Sequence, residues 1–150
     1  MTVLYVVTGP PAGGKSSWIQ GHATPRDIVI DLDLITRALT GPGAPGWNHD
    51  PLHQRVAQKA RYAAIAEAEQ LIDKLDVYLI HTLPKAKALA RYKRLQARIV
   101  EVDPGQDVVM ARIEAMRSPE MKRVATRWYR ERHTLKGAVR SAMPQSTGRW

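Results

Sequence analysis

The chain has 150 residues and no cysteine, and its 23 Lys/Arg against 14 Asp/Glu give a net charge of +9. That length suits one domain with a real core, and the lack of cysteine excludes a disulfide framework and any Cys-based zinc site, as fits a reducing cytoplasm. No stretch approaches the roughly 18 apolar residues of a membrane span, and the short apolar start lacks the charged region of a signal peptide, so a cytoplasmic protein is expected.

Residues 2–8 read as a buried strand around Val3-Leu4-Tyr5-Val6-Val7. The strand runs into Gly9-Pro10-Pro11-Ala12-Gly13-Gly14-Lys15-Ser16, which has the G-x-x-x-x-G-K-S spacing of a phosphate-binding P-loop. Residues 15–22 read as a short helix, so strand, loop and helix follow in the order this motif needs. Its four fixed letters fall together by chance in about one chain of this length in a hundred, or fewer. Gly9, Gly13 and Gly14 let the backbone bring its N–H groups, with those of Ala12 and Ser17, close to phosphate oxygens. The start of the following helix adds positive potential. Lys15 is expected to reach the β- and γ-phosphates, and Ser16 to bind Mg²⁺. A nucleoside triphosphate, ATP, with Mg²⁺ is the expected ligand.

Asp27–Asp31 reads as a second strand and Leu34–Thr40 as a helix. Residues 41–47, rich in Gly and Pro, must form a loop. An Ala-rich helix is expected from about Pro51 to Leu75, with an apolar stripe of Val56, Ala60, Ala63, Ala64, Ala68, Leu71 and Ile72. Val77–His81 is a third strand, Pro84–Leu95 a basic helix, and Arg98–Val102 a fourth strand stopped by Asp103-Pro104-Gly105. Residues 106–116 form another helix. Ser118-Pro119 caps and restarts the chain, with Met121, Val124, Ala125 and Trp128 as the next stripe. The tail, residues 137–150, is weakly patterned and is expected to fray. Alternating strands and helices predict a P-loop α/β fold: a parallel sheet with helices on both faces, plus a small helical lid over about residues 112–130.

Ligands of such sheets sit at the carboxyl ends of the strands, where Asp31, Asp33, His81 and Asp103 also fall. Asp33 is the candidate general base for an attacking hydroxyl, and Asp31 is placed to hold a Mg²⁺-bound water; either could instead cap the next helix. Arg37, at i+4 from Asp33, either contacts the acceptor or forms an intrahelical ion pair. Arg112, Arg117, Arg123 and Arg127 surround the break between the last two helices, where a lid would close on phosphate oxygens. His81 and Thr82 stand where P-loop proteins often carry a Walker-B aspartate, which argues against a strong hydrolytic ATPase. Trp47, His49 and His53 lie in or after the Gly/Pro loop, at a plausible substrate edge; Trp47 either stacks on a base or fills a gap under the loop.

The segments G-P-P-A-G-G-K-S-S-W and V-I-D-L-D-L-I-T-R resemble the start of the 5′-kinase domain of phage polynucleotide kinase. They also resemble the wider set of small P-loop kinases, including phage kinases proposed to act on hydroxymethylated bases of DNA. Trp18, Asp33, Arg37, and Arg117 ahead of Pro119 carry the likeness. The resemblance implies Asp33 as general base, Arg37 on the substrate, and Arg112 and Arg117 as lid arginines on ATP. The chain departs from the pattern in its longer Asp-to-Arg spacing, in His81 at the third strand end, and in a short lid.

Residues 1–84 hold 7 Lys/Arg and 8 Asp/Glu, net −1, whereas residues 85–150 hold 16 and 6, net +10. Such one-sidedness suits a polyanion, so nucleic acid, most simply DNA, is the expected partner. The leading expectation is an ATP-dependent kinase acting on a nucleic-acid hydroxyl, a 5′ end or a hydroxymethylated base. The alternatives are a kinase for a nucleoside, nucleotide or other small molecule, and a nucleotide-dependent binding module or ATPase.

Overall fold

The computed structural model describes residues 1–132. The expectation for residues 137–150 lies outside them. In chain order the elements are β1 (Leu4–Thr8), α1 (Lys15–Gln20), β2 (Ile28–Ile30), α2 (Leu32–Ala38), α3 (Pro51–Glu69), β3 (Val77–Ile80), α4 (Ala86–Arg94), β4 (Arg98–Glu101), α5 (Gln106–Met116) and α6 (Pro119–Glu131). The four strands are all parallel, in the order β2-β3-β1-β4, with Val6 of β1 level with Leu79 of β3 and Ile99 of β4.

Parallel strands alternate their side chains between two covered faces. Leu4 and Val6, with Leu79, Ile99 and Ile30, pack against α3, α4 and Trp128 of α6. Val7, Tyr78 and Val100 pack on the other face against Ile19 and Trp18 of the short α1. A third cluster, Val109, Ile113 and Ala125, joins α5 to α6 and reaches Ala12 of the loop after β1. The expected sheet with helices on both faces is therefore present.

The connections place the site. From β1 the chain crosses to β2 on one side of the sheet, and from β3 it crosses to β4 on the other. The neighbouring strands β1 and β3 thus part company at their carboxyl ends, and open α/β sheets bind ligands in the crevice so formed.

Two expectations about α3 change. The helix stops at Glu69 instead of running to Leu75, and turns fill the interval before β3. Its inward stripe is also rotated. Val56 is 58% exposed, while Ala57 and Ala68 are buried and Ala64, Ile65 and Ile72 pack on the core. Counting in helical steps from Ala57 puts Arg61 on that inward face. Val124 of α6 is likewise exposed, whereas Ala125 and Trp128 are buried.

Candidate active site

A cleft of about 570 Å³ opens at the carboxyl ends of β1 and β3, lined by residues 11–17, Asp31, Leu32, Asp33, Gln58, Arg61, Tyr62, residues 80–83 and Met121. Its floor is the P-loop. Gly9 has φ +148°, and a Cβ there would stand 2.2 Å from the Val102 carbonyl oxygen, so only glycine fits the passage beside β4. A Cβ on Gly13 would stand 2.8 Å from the Pro10 carbonyl oxygen, so the loop closes around its own backbone. Ala12 holds a left-handed φ of 60°. Arg112 of α5 donates to the Ala12 carbonyl oxygen at 3.0 Å, which fixes the lid-side helix to the loop.

Lys15 Nζ donates to the carbonyl oxygens of Gly9 (2.9 Å) and Pro10 (2.8 Å), at the loop itself. Burial lowers its pKa to about 8, and the charges of Asp31 and Asp33 oppose that fall. Ser16 Oγ donates to Asp31 Oδ2 at 2.8 Å. Asp31 is buried and N-caps α2, its Oδ1 accepting from the Asp33 backbone N–H at 3.0 Å. One carboxylate thereby performs both tasks, the cap and the contact with the P-loop serine.

Asp33, in the first turn of α2, presents its side chain at the cleft with 60% exposure. Its Oδ1 accepts from Nε2 of His49 at 3.0 Å, and the His49 side chain is only 3% exposed. The protein packed beneath Asp33 and the charge of Asp31 raise its pKa, while His49 and Lys15 pull it down. Carboxylates facing a lysine in a cleft, with opposing pushes on their protons, are common in catalytic sites.

The remaining sequence-selected residues are distributed unevenly. Arg37 is exposed and lies along Gly46, with its Cδ and Nη1 each 3.7 Å from where a Cβ on that glycine would be, and it is not among the residues lining the cleft. Arg117 is exposed at the α5–α6 break, in a left-handed conformation with φ 52°. Ser17 lines the cleft beside Ser16. Trp47 is 37% exposed. His81 lines the cleft, with Nδ1 2.7 Å from the Tyr92 hydroxyl, and burial plus the nearby Arg61 cation lowers its pKa to about 4. It is therefore a neutral imidazole at physiological pH. Asp103 accepts from the Tyr129 hydroxyl at 2.6 Å and from the Gly105 N–H, a local tie between β4 and α6.

Sequence reasoning missed the cleft wall made by α3. Gln58, Arg61 and Tyr62 sit at i, i+3 and i+4 on one helix face and line the cleft together. Their signal was the stripe itself: read from Ala57, it places an arginine on the face that meets the sheet.

No protein-family model matches the sequence, and no curated protein matches it. Among solved structures, the chain is similar to a crystal structure described as a "putative kinase" from Chloroflexus aurantiacus J-10-fl, with a TM-score of 0.61 at 21% identity, over 84% of this chain and 76% of that one. That likeness establishes the fold: an α/β, P-loop kinase-like fold. No helix among the described residues is long and apolar enough to cross a membrane.

Proposed function

We propose that this protein is an ATP-dependent phosphotransferase that moves the γ-phosphoryl group to a hydroxyl of nucleic acid, a 5′ end or a hydroxymethylated base of DNA. The observation that carries the reading is that the P-loop, with Lys15 and Ser16, and the His49-held Asp33 carboxylate line one cleft.

The loop's placement fits a triphosphate, because Gly13, Gly14, Lys15 and Ser16 line the cleft at the start of α1, where backbone N–H groups can meet phosphate oxygens. The hydroxyl of Ser16 and the buried carboxylate of Asp31 are adjacent hard oxygen donors and fit Mg²⁺, which takes few protein ligands beside phosphates and waters. Bound there, Mg²⁺ would supply charge neutralisation on the phosphates. Lys15 needs only to leave two loop carbonyls to meet the β- and γ-phosphates. Asp33 takes the proton of the acceptor hydroxyl as that oxygen bonds to phosphorus and ADP leaves. Arg112, already anchored to Ala12, and Arg117 at the helix break supply cations on the lid side, the roles their likeness to phage polynucleotide kinase suggests.

Charge near the cleft supports a polyanionic acceptor. Lys85 N-caps α4 two residues after Leu83 of the cleft wall, and Lys122 and Arg123 follow Met121 of the same wall; all three cations are exposed. One observation favours the small-molecule alternative: a cleft of about 570 Å³ is of the size that encloses a nucleoside or nucleotide. Incubation with γ-labelled ATP and Mg²⁺ separates the two. Label is expected on a 5′-hydroxyl oligonucleotide or on hydroxymethyluracil duplex, and label confined to free nucleosides or nucleotides would sink the nucleic-acid reading.

The lowered pKa of Lys15 sets a pH dependence. Phosphate binding favours the charged ammonium, so the complex holds a proton that the free site releases as pH rises through about 8. ATP affinity is therefore expected to be flat below pH 8 and to fall by up to about tenfold per pH unit above it. Calorimetric titration from pH 6.5 to 9.5 measures this, with net proton uptake on binding at the alkaline end. Constant affinity throughout would mean that Lys15 does not hold the phosphates.

A further inference from the structure

Arg61 is a cation of the cleft that the mechanism above leaves without a task. Its Nη2 donates to the carbonyl oxygen of Ile80 at 3.1 Å, at the carboxyl end of β3. That bond fixes the guanidinium against the sheet and uses one of five N–H donors. Among the described residues, none of the ion pairs (His49–Asp33, Arg91–Glu69, Arg127–Glu131 and Arg132–Asp103 among them) gives Arg61 a carboxylate partner. Its neighbour His81 is held neutral and brings no counter-charge. Gln58 and Tyr62 flank it on the same helix face, each with donors of its own. A partly buried guanidinium without a counter-ion, between two neutral donors, is built for an anion with several oxygens.

We propose that Gln58, Arg61 and Tyr62 form a subsite for a phosphate group carried by the acceptor, so that the preferred acceptor bears a phosphate as well as the hydroxyl that is phosphorylated. The subsite rests on the kinase reading for its purpose. It assigns to α3 an acceptor contact that the resemblance implies for Arg37, a residue that lies along Gly46 and is not among those lining the cleft. It also favours phosphate-bearing units of nucleic acid or nucleotides over neutral nucleosides.

Equilibrium binding tests the subsite without requiring turnover. The protein is saturated with ADP and Mg²⁺ to fill the P-loop, then titrated with thymidine 3′-monophosphate, with thymidine, and with a 5′-hydroxyl dinucleotide. The monophosphate and the dinucleotide should bind more tightly than thymidine. Arg61→Gln should weaken both by about 10- to 100-fold, the range for lost charge-assisted hydrogen bonds, and leave ADP and thymidine affinity unchanged. A response confined to the monophosphate or to the dinucleotide identifies a monoester or a diester as the source, and either supports the subsite. Should Arg61→Gln melt, the double variant Gln58→Ala/Tyr62→Phe, which leaves the Arg61–Ile80 bond in place, should weaken the same ligands about tenfold. Unchanged affinity in the folded variant overturns the subsite, as does equal binding of thymidine and its monophosphate. Weakened binding of a non-hydrolysable ATP analogue in place of the acceptor would make Arg61 a ligand of the ATP phosphates and also overturns it. Failure of the kinase reading would show separately, as absence of label transfer to every acceptor.

Discussion

Asp33→Asn is expected to slow phosphoryl transfer by about 10²- to 10⁴-fold while ATP affinity stays within about twofold. The substitution keeps the size of the side chain and its hydrogen-bonding capacity, so the link to His49 can persist, with the amide oxygen accepting. What it removes is the ability to take a proton. The raised pKa of Asp33 makes it a stronger base than a free carboxylate, and its cause, packing plus the charge of Asp31, lies in the fold. The same shift fixes the acid side of the rate profile. The base is competent only when ionised, so activity falls as pH drops through its raised pKa. Single-turnover transfer from γ-labelled ATP to the accepted hydroxyl measures the loss, and filter binding of ATP measures the retained affinity. Transfer that persists near the wild-type rate would leave Asp33 a positioning group and move the base elsewhere.

The halves of this site differ in how far the sequence discloses them. The P-loop is local: one strand end, eight consecutive residues and one helix start, so spacing alone identifies it. Asp31 and Asp33 are nearly as local, because parallel strands all end on one edge of the sheet and the carboxylates follow the end of β2, although β3 lies between β2 and β1. The structure resolves what the spacing left open there, since Asp31 caps α2 while also meeting Ser16. The sequence puts His49 at a substrate edge without showing that it meets Asp33, and it does not single out Arg61 at all. His49 lies 16 positions after Asp33, beyond the rest of α2 and the Gly/Pro-rich loop, whose path no periodicity encodes. Arg61 depends on the rotation of α3 about its own axis. In an Ala-rich helix many stripes score alike, and the difference between starting at Val56 and at Ala57 is one residue, or about 100°. Packing against Leu4, Leu79 and Trp128 chooses between them, and that choice is tertiary.

Trp128→Ala is expected to destabilise the fold by about 3–5 kcal/mol, the range for removing a large buried aromatic side chain. For a domain of this size that corresponds to a melting temperature lower by roughly 10–20 °C. Trp128 is 1% exposed, and it seats α6 on the same core as Leu4, Val6 and Ile99. Its loss should also reach the nucleotide site by a short route. The carbonyl oxygen of Thr82, just past β3, accepts from Trp128 Nε1 at 2.8 Å and from the Gly9 N–H at 3.4 Å. One acceptor thus joins α6, the end of β3 and the first residue of the P-loop. Trp128→Phe narrows the change, since it keeps a six-membered aromatic ring on α6 and removes the indole donor together with the five-membered part of the ring. It should cost about 1–3 kcal/mol, measured by urea unfolding, because a half-buried carbonyl loses its stronger partner and the core loses part of a buried ring. ATP affinity should then fall several-fold beyond anything the lost stability explains, because Gly9 is positioned through the same oxygen. If Trp128→Phe lowers stability and leaves ATP affinity untouched, the tryptophan acts through packing alone, and the P-loop takes its shape from the close approach of Gly9 to Val102.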